Sequence, residues 1–328
     1  MAGFIDNLQI YDQLVQNSYV ETEAQFIPEF NGGTNGTILM GDAMIQGNYE
    51  ARTFWKRQKN LVHFEDIKDN ADVTDTQISQ GERVCPKVKY RVGPVTWNPD
   101  SVRWEGQPEG AAFVALGEHL GTEVPLSKLN LCFKALVTAL GVGGTTKVDE
   151  RGTTADATKR LTIPLLISAK RKLGDSRGGL VAFMRSETYY DMAVNNLSEY
   201  QEIFTYDEIF ARRGPQNMTI IVLDNDELKY THSSQTKYNV LLLQPGALRL
   251  LDIDQQRSVI LPIMGKQNLG ERYQAQGSVA LDMMGWSFNK ATTSPTLTEI
   301  GTPGNWSQAV ADVRDGPGVL LQCQGTQP

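Results

Sequence analysis

The stretch 108–140, PEGAAFVALGEHLGTEVPLSKLNLCFKALVTAL, constrains this chain more than any other. Its apolar residues recur at helical spacing. Phe113, Leu116 and Leu120 make one stripe, and Leu129, Phe133, Leu136 and Leu140 a second. Pro125 interrupts the run, because it has no N–H and its ring crowds the carbonyl of Gly121, four residues back. The stretch is therefore a kinked long helix, or two helices of which the second opens with proline in its first turn. If continuous it would extend roughly 50 Å, long for an ordinary domain. Strand-rich segments lie on both sides, so it reads as a spine along which the other elements are laid.

The 328 residues are enough for two or three domains' worth of core. No apolar run approaches the ~18 residues needed to cross a bilayer. The N-terminus, MAGFIDNLQIYDQLVQ, lacks the basic start and apolar centre of a signal peptide. Three cysteines, Cys85, Cys132 and Cys323, are an odd number and lie far apart, which suggests reduced thiols in a cytosolic setting. The net charge of −7 argues against a strong non-specific DNA binder. An acidic protein can still enclose a polyanion without gripping it.

Residues 1–30 read as an arm, with a short helix over 6–19, that gains order by lying on something else. Residues 31–37, NGGTNGT, are a turn-rich link. Residues 38–104 form the most unusual part. GNYEARTFWKRQKN mixes aromatic and basic side chains, and HFEDIKDNADVTDTQISQGERV is polar with no period. In KVKYRVGPVTW, Val88, Tyr90 and Val92 alternate with Lys87, Lys89 and Arg91, a strand with one basic face. The whole reads as a hairpin-like excursion with too little apolar content for a core of its own. Such a loop fits poorly in a compact monomer and well on a neighbouring subunit. Beyond the spine, 158–173 reads as a helix stopped by Gly174, with Pro164 leaving its first half open. LVAFM, TIIVLD and YNVLLLQ are apolar strands covered on both faces, ALRLLD is a short helix or strand, and 150–255 is a compact α/β unit. SVILPIM and GSVALDMMGWSF are later strands, SQAVADV suggests a short helical tail, and VLLQCQ reads as an edge strand.

The sequence offers few catalytic signals. GVGGTTK (141–147) lacks phosphate-loop spacing and follows a helix, whose C-terminal carbonyls repel phosphate. Asp224-Asn225-Asp226 ends a strand, where such residues favour turns, and no histidine or acidic cluster completes a metal shell. His119 and Cys132 lie more than three helical turns apart, while His63 and His232 have no ligand-like neighbours. There is no G-x-S-x-G elbow and no His-Glu-x-x-His. No catalytic, cofactor or metal residue is therefore assigned. The cluster Arg52, Phe54, Trp55, Lys56 and Arg57 has the residue types that stack on bases and equally those that anchor protein interfaces. Glu65 and Asp66 offset its charge, and the acidic chain favours an interface. Together with Lys87, Lys89 and Arg91 these residues form the expected assembly interface.

Several segments, in shared order over about 38–306, resemble the major capsid proteins of tailed phages with the HK97-like fold. GDAMIQGNYEARTFWKR resembles the entry to that family's extended loop, and VKYRVGP with 108–140 its return strand and spine helix. LGDSRGGLVAFMRSETYYDMAVNN resembles part of its axial domain. KQNLGERYQAQGSVALDMMGWSF, SPTLTEI and GNW resemble its late strands and tail.

The resemblance implies an α+β fold: an arm (1–37), an extended loop and return strand (38–104), a peripheral domain with the spine (105–150), an axial domain (151–255), and late peripheral strands with a tail (256–328). It implies copies of the chain in hexamers and pentamers of an icosahedral shell around double-stranded DNA, with scaffold, portal and decoration proteins as partners and no cofactor. The short arm favours a separate scaffold protein. Within that fold the spine is expected to bend at Gly121 and Pro125 and to pack on 258–264 and 277–288. An encapsulin-like nanocompartment shell shares the fold. A rival of another class is a cytosolic metal-dependent α/β enzyme using Asp224 and Asp226.

Overall fold

The computed structural model describes residues 2–325, apart from 43–48, 59–60, 65, 69–71, 74, 99, 101–103, 105, 107–108, 151, 153–158, 175–178, 196–200, 207–208, 214–217, 254–255, 266, 268–269 and 292–294. The helices are α1 (Ala2–Gly33), α2 (Glu109–Val142), α3 (Ile163–Lys172), α4 (Ser186–Asn195) and α5 (Leu297–Ile300). The strands are β1 (Ile38–Asp42), β2 (Tyr49–Trp55), β3 (Gln80–Trp97), β4 (Lys147–Asp149), β5 (Val181–Met184), β6 (Gln201–Tyr206), β7 (Ile209–Arg213), β8 (Thr219–Leu223), β9 (Lys229–His232), β10 (Gln235–Leu243), β11 (Leu248–Asp252), β12 (Arg257–Ile263), β13 (Gly270–Met283), β14 (Trp286–Phe288), β15 (Trp306–Gln308) and β16 (Gly318–Gln324).

The spine is one helix of 34 residues with Pro125 inside it. Proline forgoes a single hydrogen bond here, and burial of Val124, Leu129, Phe133, Leu136 and Leu140 outweighs that loss. The expected arm with a helix over 6–19 is instead one helix of 32 residues. Val15, Tyr19, Phe26 and Phe30 lie at helical spacing and are buried.

A close backbone approach compensates for the few apolar residues on α1. Gly117 and Gly121 are one turn apart on the same face of α2. A Cβ on Gly117 would stand 2.7 Å from the Val15 carbonyl oxygen, and one on Gly121 2.5 Å from Thr22 Cβ. Ser18 Oγ donates to the Val114 carbonyl at 3.3 Å. Contacts advance in the same direction on both helices, from Ser18 with Val114 to Glu23 with Lys128, so α1 and α2 run parallel. Gly121 thus serves the contact with α1. The spine's long neighbour is α1, while the late strands meet both helices through Ile260, Tyr273 and Ala275.

Among the described residues the strands make two main sheets and one small pair. The first sheet has the order β1-β11-β13-β3-β2, with β12 also on β13. The second has the order β4-β16-β10-β5-β8-β7-β6, with β9 also on β10. Its central strands are buried on both faces, as their unbroken apolar runs predict. Phe183, Leu241 and Leu320 join the core that contains Leu136 and Leu140 of the spine. Ala182, Leu242 and Leu321 face Leu166 and Ala169 of α3 and Met192 of α4. Thr162 caps α3 by accepting from the Leu165 N–H at 3.4 Å, and Pro164 fits its first turn.

VLLQCQ is not an edge strand, because β16 lies between β4 and β10 and is buried throughout. Residues 147–149 and 318–324 thus share the second sheet with β5, β8 and β10. β11 instead pairs with β1 and β13 in the first sheet. A largely apolar strand gains most where both faces and both edges are covered, wherever it falls in sequence. The expected helical tail at 307–313 is strand β15 followed by irregular chain, with a single 3-10 turn at Val313–Asp315.

Gly121→Ala should destabilise the subunit by about 1–3 kcal/mol through overpacking, although alanine gains up to ~1 kcal/mol of helix propensity. Gly32→Ala in α1 meets nothing within 4 Å and should be neutral or slightly stabilising. Urea denaturation of both variants measures this. Equal responses would mean that the close approach contributes nothing.

Candidate assembly interface

The excursion is a real hairpin at its base. β2 pairs antiparallel with the first part of β3, Tyr49 opposite Pro86 through Trp55 opposite Gln80. The second part of β3 pairs with β13. The strand alternation holds: Val88 is buried and Tyr90 and Val92 half-buried on the helix side, while Lys89 and Arg91 are exposed. Lys87 is half-buried.

The base is clamped to the subunit by charge. Arg52 and Arg83 stand directly opposite each other across the ladder, an arrangement that like charges make unfavourable. Asp282 of β13 resolves it. Arg52 Nη1 donates to Asp282 Oδ2 at 2.6 Å and Arg83 Nη2 at 3.1 Å. The Asp282 side chain is only 1% exposed, so these are strong, poorly screened bonds. Arg52 also donates to Glu50, and Cys85 Sγ lies 3.5 Å from Asp282 Oδ1. Further out, Lys290 pairs with Glu82, the Val84 N–H donates to Ser287 Oγ, and Arg57 lies 3.7 Å from Asp315.

The expected interface residues thus divide. Arg52 is engaged inside the subunit, and Phe54 is half-buried over Gly81, where a Cβ would meet its ring at 2.5 Å. Trp55 is 65% exposed, and Lys56, Arg57 and Asp66 are exposed. Glu65 lies outside the described residues. Beyond Trp55 the described residues of the tip form no regular structure. Its apolar side chains stand in solvent: Phe64 and Ile67 are fully exposed, and Leu61, Val62, Val73 and Ile78 largely so. In sequence the stretch is polar on balance, which conceals these side chains. Their signal was several large apolar residues with neither helical nor strand period, which no local element can bury.

The rival sites are occupied by structural contacts. Asp224 accepts from the N–H and hydroxyl of Ser186 at 3.0 and 2.9 Å, holding the start of α4. Asn225 accepts from the Glu227 N–H, the turn expected there. Thr146 donates to the Leu140 and Gly143 carbonyls, closing the glycine-rich loop after the spine. All three cysteines are buried and free. Burial first, then Asp282, pushes the Cys85 thiol up to about 12, and burial raises Cys132 and Cys323 as well. His119 is exposed on α2. Among the described residues no helix is long and apolar enough to cross a membrane.

Two sheets strung on a spine helix, with a clamped hairpin whose tip lies outside its own core, define a shell subunit of the HK97-like fold. The capsid asymmetric unit of cyanophage Pam1 has the same fold, at 10% identity over 86% of each chain and a TM-score of 0.52. So has the capsid of Ralstonia phage GP4, at 11% identity over 90% of this chain and 89% of that one, with a TM-score of 0.53. No curated protein matches in sequence. The family model described as Gp13-like, major capsid protein 13-like, matches residues 7–320, and the chain belongs to that family of phage major capsid proteins.

Asp282→Asn weakens the clamp between two opposed arginines and should cost about 2–4 kcal/mol. Faster proteolysis within β2 and β3 than elsewhere, read by mass spectrometry, should accompany the loss. Uniform cleavage would show that Asp282 does not hold the hairpin. Thiol reagents near pH 8 should label none of the three cysteines in the native subunit and all of them after denaturation.

Proposed function

We propose that this chain self-assembles into hexamers and pentamers of an icosahedral shell that encloses the double-stranded DNA of a tailed phage. The observation that carries the reading is the naked tip of the β2–β3 hairpin, with Phe64 and Ile67 fully exposed at the end of a firmly clamped stalk. Exposed apolar surface of this kind marks an interaction site. A stalk that reaches past its own subunit makes heterologous contacts, and these close into rings. Weak contacts repeated over many copies give a stable shell while misplaced subunits can still leave.

The role is structural, and the assembly interface comprises Trp55, Lys56, Arg57, Asp66, Lys89 and Arg91 with the apolar tip. A scaffold protein, a portal and a decoration protein are the partners such a shell takes, and assembly takes place in the host cytoplasm. Membership of a capsid family favours a virion over a nanocompartment.

Replacing 57–78 with a short flexible linker should leave a folded, soluble subunit that forms no shells in negative-stain images. A subunit that unfolds would place the tip in the core. Trp55→Ala should reduce assembly while shifting the subunit's melting temperature little, because the ring is mostly in solvent. An equal loss of both would argue against an interface tryptophan. Particles that carry no DNA when isolated from infected cells would sink the virion reading.

A further inference from the structure

Among the described residues β12 has one strand partner, β13, with Arg257 opposite Gln276 through Ile263 opposite Gly270. Its other edge is open. Which backbone groups face that edge follows from the neighbouring strands. In an antiparallel ladder a residue turns its N–H and C=O to one side, and the next residue turns them to the other. The Ser278 carbonyl accepts from the Ile253 N–H just beyond β11. Even-numbered residues of β13 therefore face the side on which β11 and β12 lie. They bond the odd-numbered residues of β12 that stand opposite them. Ser258, Ile260 and Pro262 are left to turn their backbone groups outward. Proline sits where its missing N–H leaves no bond of the β13 ladder unmade.

The side chains of β12 divide in the same way. Ile260 is buried on the helix side with Val15 and Phe113. Ser258 accepts from Gln16 and donates to Asp12 of α1. Val259 and Leu261 stand on the other face, 51% and 59% exposed. Open edges are usually guarded by charge or proline. Here Arg257 and Pro262 lie towards the two ends, and residues 258–261 between them carry no charge.

We propose that two copies of the chain join edge to edge through β12, antiparallel about a two-fold axis at Ile260, so that their first sheets continue as one. The inference rests on the shell reading and concerns the joint between one ring of subunits and the next.

The strand is complementary to itself. About that axis the Ile260 N–H and C=O meet those of the partner's Ile260, and each Ser258 N–H meets a Pro262 carbonyl across the joint. Val259 then stands opposite the partner's Leu261, and Leu261 opposite the partner's Val259. Each exposed apolar side chain covers another, at the non-hydrogen-bonded positions where side chains come closest. Arg257 stands opposite the partner's Ile263, so the two arginines are about 20 Å apart, beyond a Debye length at 0.1 M salt. Symmetry favours a second copy over a foreign strand. Heterologous contacts close subunits into rings, but rings in a closed shell also meet across two-fold axes, and a two-fold contact needs a self-complementary patch. A joint of one seven-residue strand is weak alone and gains strength when each ring offers several. The free subunit therefore stays monomeric.

The test uses the full-length chain. Val259→Lys with Leu261→Lys sets lysines opposite each other across the axis, at positions that are exposed in the subunit. The variant should keep the subunit's melting temperature and its ability to form rings, and lower the fraction of closed shells about tenfold, as read by sedimentation and negative-stain microscopy. Disulfides read the register. Particles co-assembled from Val259→Cys and Leu261→Cys subunits should give, on oxidation, covalent dimers that hold one of each. Either variant alone should give none, because like positions lie about 8 Å apart across the axis, too far for a disulfide. The native thiols are buried and add no background. Normal shells from the lysine variant, or co-assembled particles without mixed dimers, would overturn the joint and leave the shell reading standing. Loss of rings together with shells would place β12 inside the ring and overturn it too, as would a cysteine variant linked to a different virion protein. A wild-type chain that forms neither rings nor particles would overturn both readings.

Discussion

Lys128 lies in the middle of the spine, 6% exposed, with Glu23 at 2.8 Å and Asp252 at 2.9 Å. Its ammonium also stands 5.7 Å from the Tyr90 ring centre. Burial works against its charge, and Asp252 and Glu23 outweigh burial, so it stays protonated. Four elements meet at this one cation: α1 through Glu23, α2 through Lys128, β11 through Asp252 and β3 through Tyr90. Removing the cation would strand two carboxylates in a half-buried site, a loss on the order of 3–5 kcal/mol. The parallel packing of α1 on the spine, the register of β11 and the position of the long strand β3 all depend on this point.

The same logic recurs at the hairpin. A charged stalk with little apolar content cannot hold its own direction, so it is fastened at its base. Arg52 and Arg83 do this on the buried Asp282 carboxylate, where ion pairs are less screened than in open solvent. Beyond the clamp the chain carries its apolar residues outward. Buried charge at the base and uncovered apolar surface at the tip are thus separated along a single hairpin. The base is held because two arginines share one buried carboxylate, while the apolar groups of the tip stand in solvent.

Much of this was legible in the residues. The period of Leu129, Phe133, Leu136 and Leu140 announced the spine. The alternation of Val88, Tyr90 and Val92 with Lys87, Lys89 and Arg91 announced a strand with one basic face, and unbroken apolar runs announced strands covered on both sides. Other features were hidden because their meaning lies in a partner element. Gly117 and Gly121 read as helix weaknesses until Val15, Ser18 and Thr22 are placed against them. Arg52 read as an interface residue because Asp282, its partner, is 230 residues away in sequence. The C-terminal strand read as an edge because nothing in VLLQCQ says that residues 147–149 will cover its far side.

What the sequence by itself determined is the local type of most elements, since helical and strand periods and a core-poor charged excursion are written in nearest neighbours; the outline of a shell subunit came from the resemblance of its ordered segments to a capsid family. Only the tertiary structure decided which excursion residues are bound within the subunit and which face outward. It also decided that α1 is one long helix and that the last strand belongs to the second sheet. Those outcomes depend on contacts between residues tens to hundreds of positions apart, such as Lys128 with Glu23 and Arg52 with Asp282. Local propensity carries no information about them; burial and charge pairing in the folded chain do.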